Sequence, residues 1–367
     1  MAVALSKIIE AMERLAPARL ALEGDNIGLQ TQCSPRVGKA LVTLDVDTRV
    51  VAEAKRRGAD LIIAHHPVIY HKLDRIAGDS FAERVVIAAI RSEIGIFVAH
   101  TNLDCAPGGV NDVLAHRMVL QDIRPLKTSH EEKYHKVTVF VPEDHADKVR
   151  AAMCRADAGQ IGDYSFCSFQ APGTGTFVPS DKAKPFAGAV GELNKEPELR
   201  LEVLAPESLS PGVVAAMKIA HPYEEVAYDI YELVNPGVRH GLGRIGDLPD
   251  AVGFKDYVEL VRRRLGIKKV RIVGRPRKKV RRVAVCGGSG GSLVPDALAE
   301  GADAFVAGEV GYHEMMAADA LGLCVVEAGH GATERIALPA LAQNLQRMLP
   351  DLKIIFTRIK TDRSEWV

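Results

Sequence analysis

The sequence lacks net charge and long apolar runs. Lysine plus arginine and aspartate plus glutamate each number 47 among 367 residues, and both signs are mixed along the chain. This balance excludes a broad electrostatic field for nucleic acid or anionic lipid. No stretch of about 20 apolar residues occurs, and the N-terminus lacks a basic segment followed by a long apolar core. We therefore expect a soluble, unexported protein.

The sequence also lacks paired cysteines. Its six cysteines include no Cys-x-x-Cys pair and no tight spacing, which argues against a zinc ribbon and against a disulfide scaffold. A reducing, cytoplasmic location fits this usage best. The residues concerned are Cys33, Cys105, Cys154, Cys167, Cys286 and Cys324.

One local cluster of basic residues spans positions 275–282. A nucleic-acid or phosphate patch is one interpretation, but such patches interleave basic with aromatic side chains, and aromatic residues make up only 5% of this sequence. We predict a solvated loop leading into a strand.

At this length we expect two domains, or one domain interrupted by another. After an opening helix that ends at Pro17, apolar runs alternate with amphipathic segments, which predicts strands at 39–45, 60–64 and 95–99 and helices at 48–57, 80–92 and 109–120. Such alternation is typical of a parallel sheet built from strand–helix–strand units.

The pattern changes between residues 128 and 235. There the order strand, helix, strands, helix, strand predicts a ferredoxin-like α+β module. The alternating pattern then resumes, with predicted strands at 283–286, 304–307 and 323–327 and helices at 255–265, 293–300 and 333–348. We therefore predict an α/β core around a mixed or parallel sheet, formed by residues 1–127 and 236–367 and interrupted by an inserted domain at 128–235.

Polar residues able to bind a metal follow three of the predicted core strands. In open α/β sheets, side chains beyond the carboxyl ends of the strands converge on a common crevice. His330 and Glu334 are four residues apart at the start of a helix and share one face. The residues, in chain order, are His65 and His66, then His100 and Asp104, then His330 and Glu334.

This mixture of imidazole and carboxylate predicts a metal centre. Such ligands suit zinc, iron, manganese or nickel, and a carboxylate can bridge two ions where an imidazole cannot. A dinuclear centre with Glu334 as the bridge is therefore the sharper hypothesis, and two such ions would activate a shared water for hydrolysis. His100 is interpreted either as a proton shuttle, which we prefer slightly, or as a structural partner of the ligands.

Three further segments have more than one interpretation. The glycine-rich turn at 286–292, with Gly288, Ser289 and Gly290, either offers backbone N–H groups to a phosphate or is a plain tight turn. Glu309, with His313 close behind it, follows another core strand and either lines the same crevice or marks a capped helix start, and we favour the cap for Glu309. The run at 221–225, His-Pro-Tyr-Glu-Glu, is either a binding motif or a structural turn, and we favour the turn.

Taken together, these segments resemble the Nif-three-like family, also known as GTP cyclohydrolase I type 2 homologues. The resemblance extends over nearly the whole chain. It rests on the runs Asp25–Gln30, Ala64–Pro67, His100–Asp104, Cys286–Gly291 and Gly329–Glu334, which stand in the family's order.

The resemblance implies a dinuclear metal protein whose ligands are His65, His66, Asp104, His330 and Glu334, with Glu334 bridging and His100 outside the ligand set. It also implies a toroidal homohexamer with metal sites facing an internal cavity, and a PII/CutA-like insert. A departure from the family occurs at 308–313, where relatives more often have Asp and Lys.

Two functions follow as hypotheses. The first is a metal-dependent hydrolase that opens a nucleotide ring or cleaves a phosphate ester, which implies a small phosphorylated or nucleotide ligand. The second is a metal-storing or metal-delivering protein, or a regulator gated by an effector of the insert, without turnover. Neither membrane nor nucleic acid is an expected partner.

Overall fold

The computed structural model describes residues 2–275 and 279–362. The chain divides into two compact units, Met1–His130 with His240–Val367 and the intervening Glu131–Arg239. We call them the first unit and the second unit. Among the described residues, no helix is both long enough and apolar enough to cross a membrane.

The described residues form twelve α-helices and fifteen strands. The helices are α1 (Leu5–Leu15), α2 (Thr48–Arg56), α3 (Phe81–Arg91), α4 (Thr101–Cys105), α5 (Val110–Arg117), α6 (Ala146–Arg155), α7 (Ser210–Ala220), α8 (Phe254–Leu265), α9 (Val294–Ala299), α10 (Tyr312–Ala320), α11 (His330–Glu334) and α12 (Leu338–Met348). The strands are β1 (Val3–Ala4), β2 (Gly28–Thr31), β3 (Arg36–Val37), β4 (Lys39–Thr43), β5 (Leu61–Ala64), β6 (Gly95–Val98), β7 (Gln121–Val141), β8 (Ser168–Phe177), β9 (Asn194–Pro206), β10 (Tyr228–Val252), β11 (Arg271–Val273), β12 (Val280–Ser289), β13 (Ala304–Glu309), β14 (Cys324–Glu327) and β15 (Lys353–Phe356).

The first unit contains a five-stranded sheet in the order β15-β4-β5-β6-β2. The first four strands of that order are parallel, and β2 is antiparallel to β6. Residues of β5 and β6 are buried on both faces, because α1 and α12 cover one face and α2 and α3 the other. Strands buried in this way read as continuous apolar runs, which is why the sequence predicted them correctly.

A second group of strands in the first unit contains β12, β13 and β14 in parallel. β11 is antiparallel to β14, and the C-terminal part of β10 is antiparallel to β12. Apolar clusters lie on both faces of this group as well. Both groups therefore direct the carboxyl ends of parallel strands, and the loops that follow them, to an edge where polar side chains can collect.

The second unit contains an antiparallel set of strands. β9 pairs with β7 on one side and with β8 on the other. Helices α6 and α7 pack on one face, where Val139, Leu201 and Met217 belong to the apolar core. The opposite face of the strands carries charged side chains such as Glu198 and Arg200, glycines of β8 and the aromatic residues Phe140 and Phe177.

The predicted α/β class with a mixed sheet is confirmed. The C-terminal helix differs in detail: a short helix, α11, begins at His330, before the predicted start, and a 3-10 turn at Arg335–Ala337 separates it from α12. The basic run at 275–282 lies partly at 276–278, outside the described residues. Its last residues belong to β12.

Candidate metal centre

His65 and His66 follow β5 directly, and both rings face the same cluster. The backbone N–H of His65 donates to Thr43 O (3.2 Å) and that of His66 to Leu44 O (2.9 Å), so both residues continue the hydrogen bonding of β5 with β4. The strand ends there, at Pro67. Both rings reach Glu334: His65 Nε2 lies 3.7 Å from Oε1, and His66 Nε2 lies 3.1 Å from Oε2.

His100 and Asp104 come from the loop and short helix after β6. His100 precedes the first residue of α4, and Asp104 lies within that helix. Asp104 Oδ1 is 3.5 Å from His65 Nε2, and the His100 ring lies 5.3 Å from the His65 ring, centroid to centroid. The end of β6 therefore faces the end of β5, as parallel neighbours require.

His330 and Glu334 belong to α11, which follows β14. Gly329 has a φ of +92°, a conformation that L side chains rarely adopt, and this turns the chain from strand into helix. His330 Nε2 lies 3.2 Å from Glu334 Oε1 and 3.3 Å from His66 Nε2. The third strand end thus completes the cluster.

Each of the four histidines is fixed through its Nδ1 atom. The Nδ1 atom of His65 lies 2.8 Å from the carbonyl oxygen of Ala99, which can only accept, so Nδ1 carries the proton. The partners of the other three are carboxylates: Asp45 for His66 (2.7 Å), Asp25 for His100 (2.9 Å) and Glu309 for His330 (3.2 Å). In a neutral ring held this way, the Nε2 lone pair is left free, which is the usual arrangement of histidine ligands.

Three buried polar atoms at the centre have no hydrogen-bond partner. They are Nε2 of His65, Oδ1 of Asp104 and Oε2 of Glu334. The His65 side chain is only 1% exposed. Leaving a buried donor or acceptor unsatisfied costs about 1–3 kcal/mol, and a cation shared by these atoms removes that cost. The donor set therefore fits a divalent metal ion.

The electrostatics of the cluster are those of a cation site. Burial alone would raise the pKa of Glu334, but the neighbouring imidazoles of His330, His65 and His66 hold it far below the usual range. Burial likewise opposes charge on His66, yet Asp45 and Glu334 raise its pKa to about 10. Glu334 raises the pKa of His330 to about 9 against the effect of burial. Protons on the imidazoles thus supply the positive charge that the carboxylates require.

The ligand-capable atoms fall into two overlapping groups. His66, His330 and Glu334 each offer an atom within 4.8 Å of the others, and so do His65, His66 and His100. A His/Glu cluster that could hold a metal ion is therefore present. The structure brings all five predicted ligands together, and it also places His100 among them.

The glycine-rich turn forms one wall of this cluster. A Cβ atom on Gly288 would lie 2.1 Å from Glu334 Oε1 and 3.3 Å from His330 Nε2, and its φ is +63°. Three backbone N–H groups of the turn already donate within the protein: Gly287 to Asn111 Oδ1, Gly288 to Thr333 Oγ1 and Gly290 to Glu309 O. Ser289 Oγ donates to Glu309. Because Gly288 has no side chain, the turn approaches the cluster closely. Its N–H groups already donate within the protein, so they do not support the alternative of a phosphate cradle.

The predicted role of Glu309 as a helix cap is wrong. α10 starts after Gly311 and has no side-chain cap. Glu309 instead accepts from Ser289 Oγ (3.1 Å) and lies 3.2 Å from His330 Nδ1. The sequence could not distinguish the two roles, because both place an acidic residue just after a strand.

Asp45 and Asp25 were not selected from the sequence as site residues. Asp45 follows β4, so its position after a strand could have marked it, as it marked the histidines. Its Oδ2 atom also accepts a hydrogen bond from Thr361 Oγ1 at 2.8 Å. Asp25 lies in a loop with no strand before it. Although burial opposes ionisation, His100 and Thr101 lower the pKa of Asp25 to about 2.

The cluster opens into a cleft of the first unit with a volume of about 1770 Å³. Its walls include the aromatic residues Tyr70 and Phe81, both exposed. Basic side chains also line it, namely Arg49, Lys268, Lys269, Arg335 and Lys360. The cleft therefore offers cations and aromatic rings in the same space as the histidines.

Several known proteins are similar to this chain. The chain is 40% identical over 360 residues to a "GTP cyclohydrolase 1 type 2 homolog" of Halalkalibacterium halodurans, covering 97% of this chain and 96% of that protein. It is 41% identical over 348 residues to the protein of the same name from Bacillus subtilis, covering 95% and 93%.

A solved structure, described as a Bacillus cereus protein related to NIF3, superposes with a TM-score of 0.92 at 40% identity, covering 100% of this chain and 99% of that one. The sequence profile of the family Duf34/NIF3 (NGG1p interacting factor 3) matches residues 3–363. The resemblance found in the sequence is thereby confirmed. With its histidine- and carboxylate-lined cluster, this chain belongs to the Duf34/NIF3 family.

Proposed function

We propose that this protein is a dinuclear metal-dependent hydrolase. The observation that carries the proposal is the position of Glu334. Its Oε1 atom faces His330 (3.2 Å) and His65 (3.7 Å), while its Oε2 atom faces His66 (3.1 Å). A carboxylate whose two oxygens face different imidazoles suits a bridge between two cations.

The other ligands form two pairs around that carboxylate, because His330 Nε2 lies 3.3 Å from His66 Nε2 and Asp104 Oδ1 lies 3.5 Å from His65 Nε2. His65 and Asp104 would hold one ion together with Glu334, and His66 and His330 would hold the other. The mixed nitrogen and oxygen donors suit zinc, iron, manganese or nickel. Two divalent ions bound there would lower the pKa of a shared water toward about 7 and stabilise the negative charge that develops during hydrolysis.

The remaining residues orient and transfer protons. Asp25 stays ionised because its pKa is held at about 2, and it fixes the His100 ring through Nδ1. His100 Nε2 is then free to accept a proton from the nucleophile or to return one to the leaving group. Asp45, Glu309 and the Ala99 carbonyl hold the other three rings in the orientation that ligation needs.

The substrate class follows from the cleft. The exposed Lys268 and Lys269 line the same cleft as the aromatic rings of Tyr70 and Phe81, a combination that suits a small phosphorylated or nucleotide ligand. Hydrolysis of a nucleotide ring, as the names of the relatives suggest, and hydrolysis of a phosphate ester use the same arrangement of groups.

Turnover of a defined panel tests this proposal. GTP and a set of phosphomonoesters are incubated with protein loaded with zinc, iron, manganese or nickel. We expect hydrolysis of at least one substrate, and a loss of at least about a hundredfold in Glu334→Gln, in line with the removal of one charge-stabilising group. If the wild type binds two ions tightly and turns over nothing, the protein is a metal-storing or regulatory protein and the hydrolase proposal fails.

We further propose that residues 128–235 form an inserted PII/CutA-like domain in a core of residues 1–127 and 236–367, and that the chain assembles into a toroidal homohexamer in the cytoplasm. The compact unit Glu131–Arg239 supports the first part. The resemblance to the family supports the second. The mass of the assembly, measured by light scattering after gel filtration, tests it: a stable monomer would contradict the hexamer.

A further inference from the structure

We propose that the second unit binds a small organic cation with an apolar body, in a pocket separate from the metal centre. This pocket has a volume of about 650 Å³, within the range of about 300–1,000 Å³ typical of small-molecule sites. It lies between β8 and β9, the segment that follows β8, and the turn at Tyr223–Ala227.

The floor of the pocket is formed by glycines. Gly173 lies opposite Glu198 in the β8–β9 pair, and Gly175 lies opposite Glu196. Side chains at these positions share the face of the strands that is turned away from α6 and α7. A Cβ atom on Gly175 would lie 2.3 Å from Glu198 Oε2. The absence of side chains at Gly173 and Gly175 therefore leaves room for the Glu198 carboxylate and for the cavity above it.

One wall is the segment 178–193, and defined hydrogen bonds hold it in place. Asn194 accepts from Ala189 N (2.8 Å) and donates to Ala189 O (2.9 Å) and to Glu192 O (3.0 Å). Gly191 N donates to Pro179 O (2.9 Å). Lys184 N donates to Glu224 Oε1 (2.7 Å), which ties the segment to the turn on the other side of the pocket. These hydrogen bonds hold the wall in one conformation and so define the shape of the cavity.

Four aromatic residues line the pocket, namely Phe140, Phe177, Phe186 and Tyr223. The ring of Tyr223 lies 5.9 Å from that of Phe186 and 6.5 Å from that of Phe177, centroid to centroid. Phe186 is 56% exposed, which is high for a phenylalanine. The faces of such rings carry a negative potential and attract cations placed over them.

The charged residues of the pocket also favour a cation. Its charged lining residues are Glu198, Arg200, Glu224 and Glu225. The guanidinium of Arg200 is paired with Glu202 outside the lining (Nε to Oε1, 2.9 Å). The carboxylates therefore dominate, and the pocket favours a cation over a phosphate-bearing ligand.

The hydroxyl group of Tyr223 is a further polar contact for a ligand. Its Oη atom is buried and makes no hydrogen bond of acceptable geometry. Burial, together with the Glu198 carboxylate, raises the pKa of Tyr223. The hydroxyl stays protonated and can accept from an ammonium N–H. Aromatic faces, carboxylates and a buried hydroxyl around one cavity together define a site for an amine or quaternary ammonium group.

The test measures the binding of three probes to the full-length protein: a cation, a neutral molecule of the same shape and a phosphate-bearing anion. Benzyltrimethylammonium is the cation, neopentylbenzene is its neutral isostere, and ATP is the phosphate-bearing competitor. Binding is measured by NMR shifts of the amides of β8 and of the turn at Tyr223–Ala227. We expect the cation to bind at least about tenfold more tightly than the isostere, and ATP not to displace it.

Two variants keep the test decisive if one misfolds. Glu198→Gln preserves shape and removes charge, and Phe186→Ala removes an exposed ring. Each should weaken cation binding about five- to tenfold. Glu10→Gln, an exposed position in α1 of the first unit, makes the same charge change as Glu198→Gln and should leave binding unchanged. The proposal is overturned if no probe binds, if the isostere binds as tightly as the cation, if ATP displaces it, or if both pocket variants bind like the wild type.

Discussion

At the scale of single residues, the positions of the protons on the histidine rings determine which ring nitrogen can bind a metal. Every histidine in it has an acceptor at Nδ1, and three Nε2 atoms lie within 4 Å of Glu334. A histidine binds a metal only as the neutral ring, so the protons that balance Glu334 in the metal-free protein must leave when a metal enters.

Metal binding should therefore release protons. The pKa values of about 10 for His66 and about 9 for His330 mean that both rings are protonated at pH 7.5 in the metal-free protein. We expect release of at least about two protons per chain at that pH, because, against the effect of burial, Asp104 and Glu334 raise the pKa of His65 as well, then fewer above pH 10, and an affinity that rises as pH increases between these values. Calorimetry in buffers of different ionisation enthalpy measures the release. Binding at pH 7.5 without proton release would contradict the assignment.

Gly288 offers a second test at this scale. In Gly288→Ala, the new methyl group would overlap Glu334 Oε1, because the built Cβ lies 2.1 Å from that atom. We expect metal affinity to fall at least about tenfold. Gly301→Ala is the matched control: its φ is +69°, similar to the +63° of Gly288, but nothing lies within 4 Å.

Both variants should lose about 1 kcal/mol of stability, since alanine is disfavoured at such φ values. Only Gly288→Ala should lose metal. Equal metal affinity in the two variants, measured by titration with zinc, would show that the close approach of the turn is not needed.

At the scale of helices and strands, the sequence predicted the elements that carry long apolar runs. β4, β5 and β6 were found because both faces of each are buried, and the histidines at their ends followed from the topology. β2, β11 and β15 were not predicted. These strands are three or four residues long and pair with strands distant in the sequence, so no local periodicity marks them.

In the site, too, some residues could be predicted from a local sequence pattern and others could not. Five ligand candidates follow strands and could be predicted from position alone. The partners of their Nδ1 atoms could not, because Asp25 meets His100 across 75 positions of sequence and Glu309 meets His330 only through the packing of β13 beside β14. Contacts of this kind depend on tertiary structure, which a single sequence does not reveal.

One capping interaction can be tested independently. Asp47 precedes α2 and accepts from Arg49 N and Val50 N, both at 2.9 Å. Asp47→Ala should lower the free energy of unfolding by about 1 kcal/mol, whereas Asp47→Asn, another good capping residue, should lower it by only a few tenths of that. Urea denaturation followed by circular dichroism measures both. Equal losses in the two variants would show that charge, and not capping, stabilises the start of α2.

At the scale of the whole molecule, the two compact units predict separable folding. The rings of His130 and His240, at the ends of the first unit's two segments, lie 6.1 Å apart, centroid to centroid. A short linker of about four Gly and Ser residues can therefore replace Glu131–Arg239 without stretching the chain.

We expect this shortened chain to unfold cooperatively and to bind metal with the affinity of the full-length protein. Its thermal unfolding and zinc titration measure the two properties. A chain that folds but binds no metal would show that the second unit is required for the centre. A chain that does not fold would contradict the independence of the first unit.

The central claim is a pair of ions bridged by Glu334, and anomalous diffraction from crystals of protein purified with its own metal tests it most directly. The account predicts two anomalous peaks about 3.5–4 Å apart, with a Glu334 oxygen bound to each. One should contact His65 and Asp104, and the other His66 and His330. A single peak, or two peaks with Glu334 bound to neither, would contradict it.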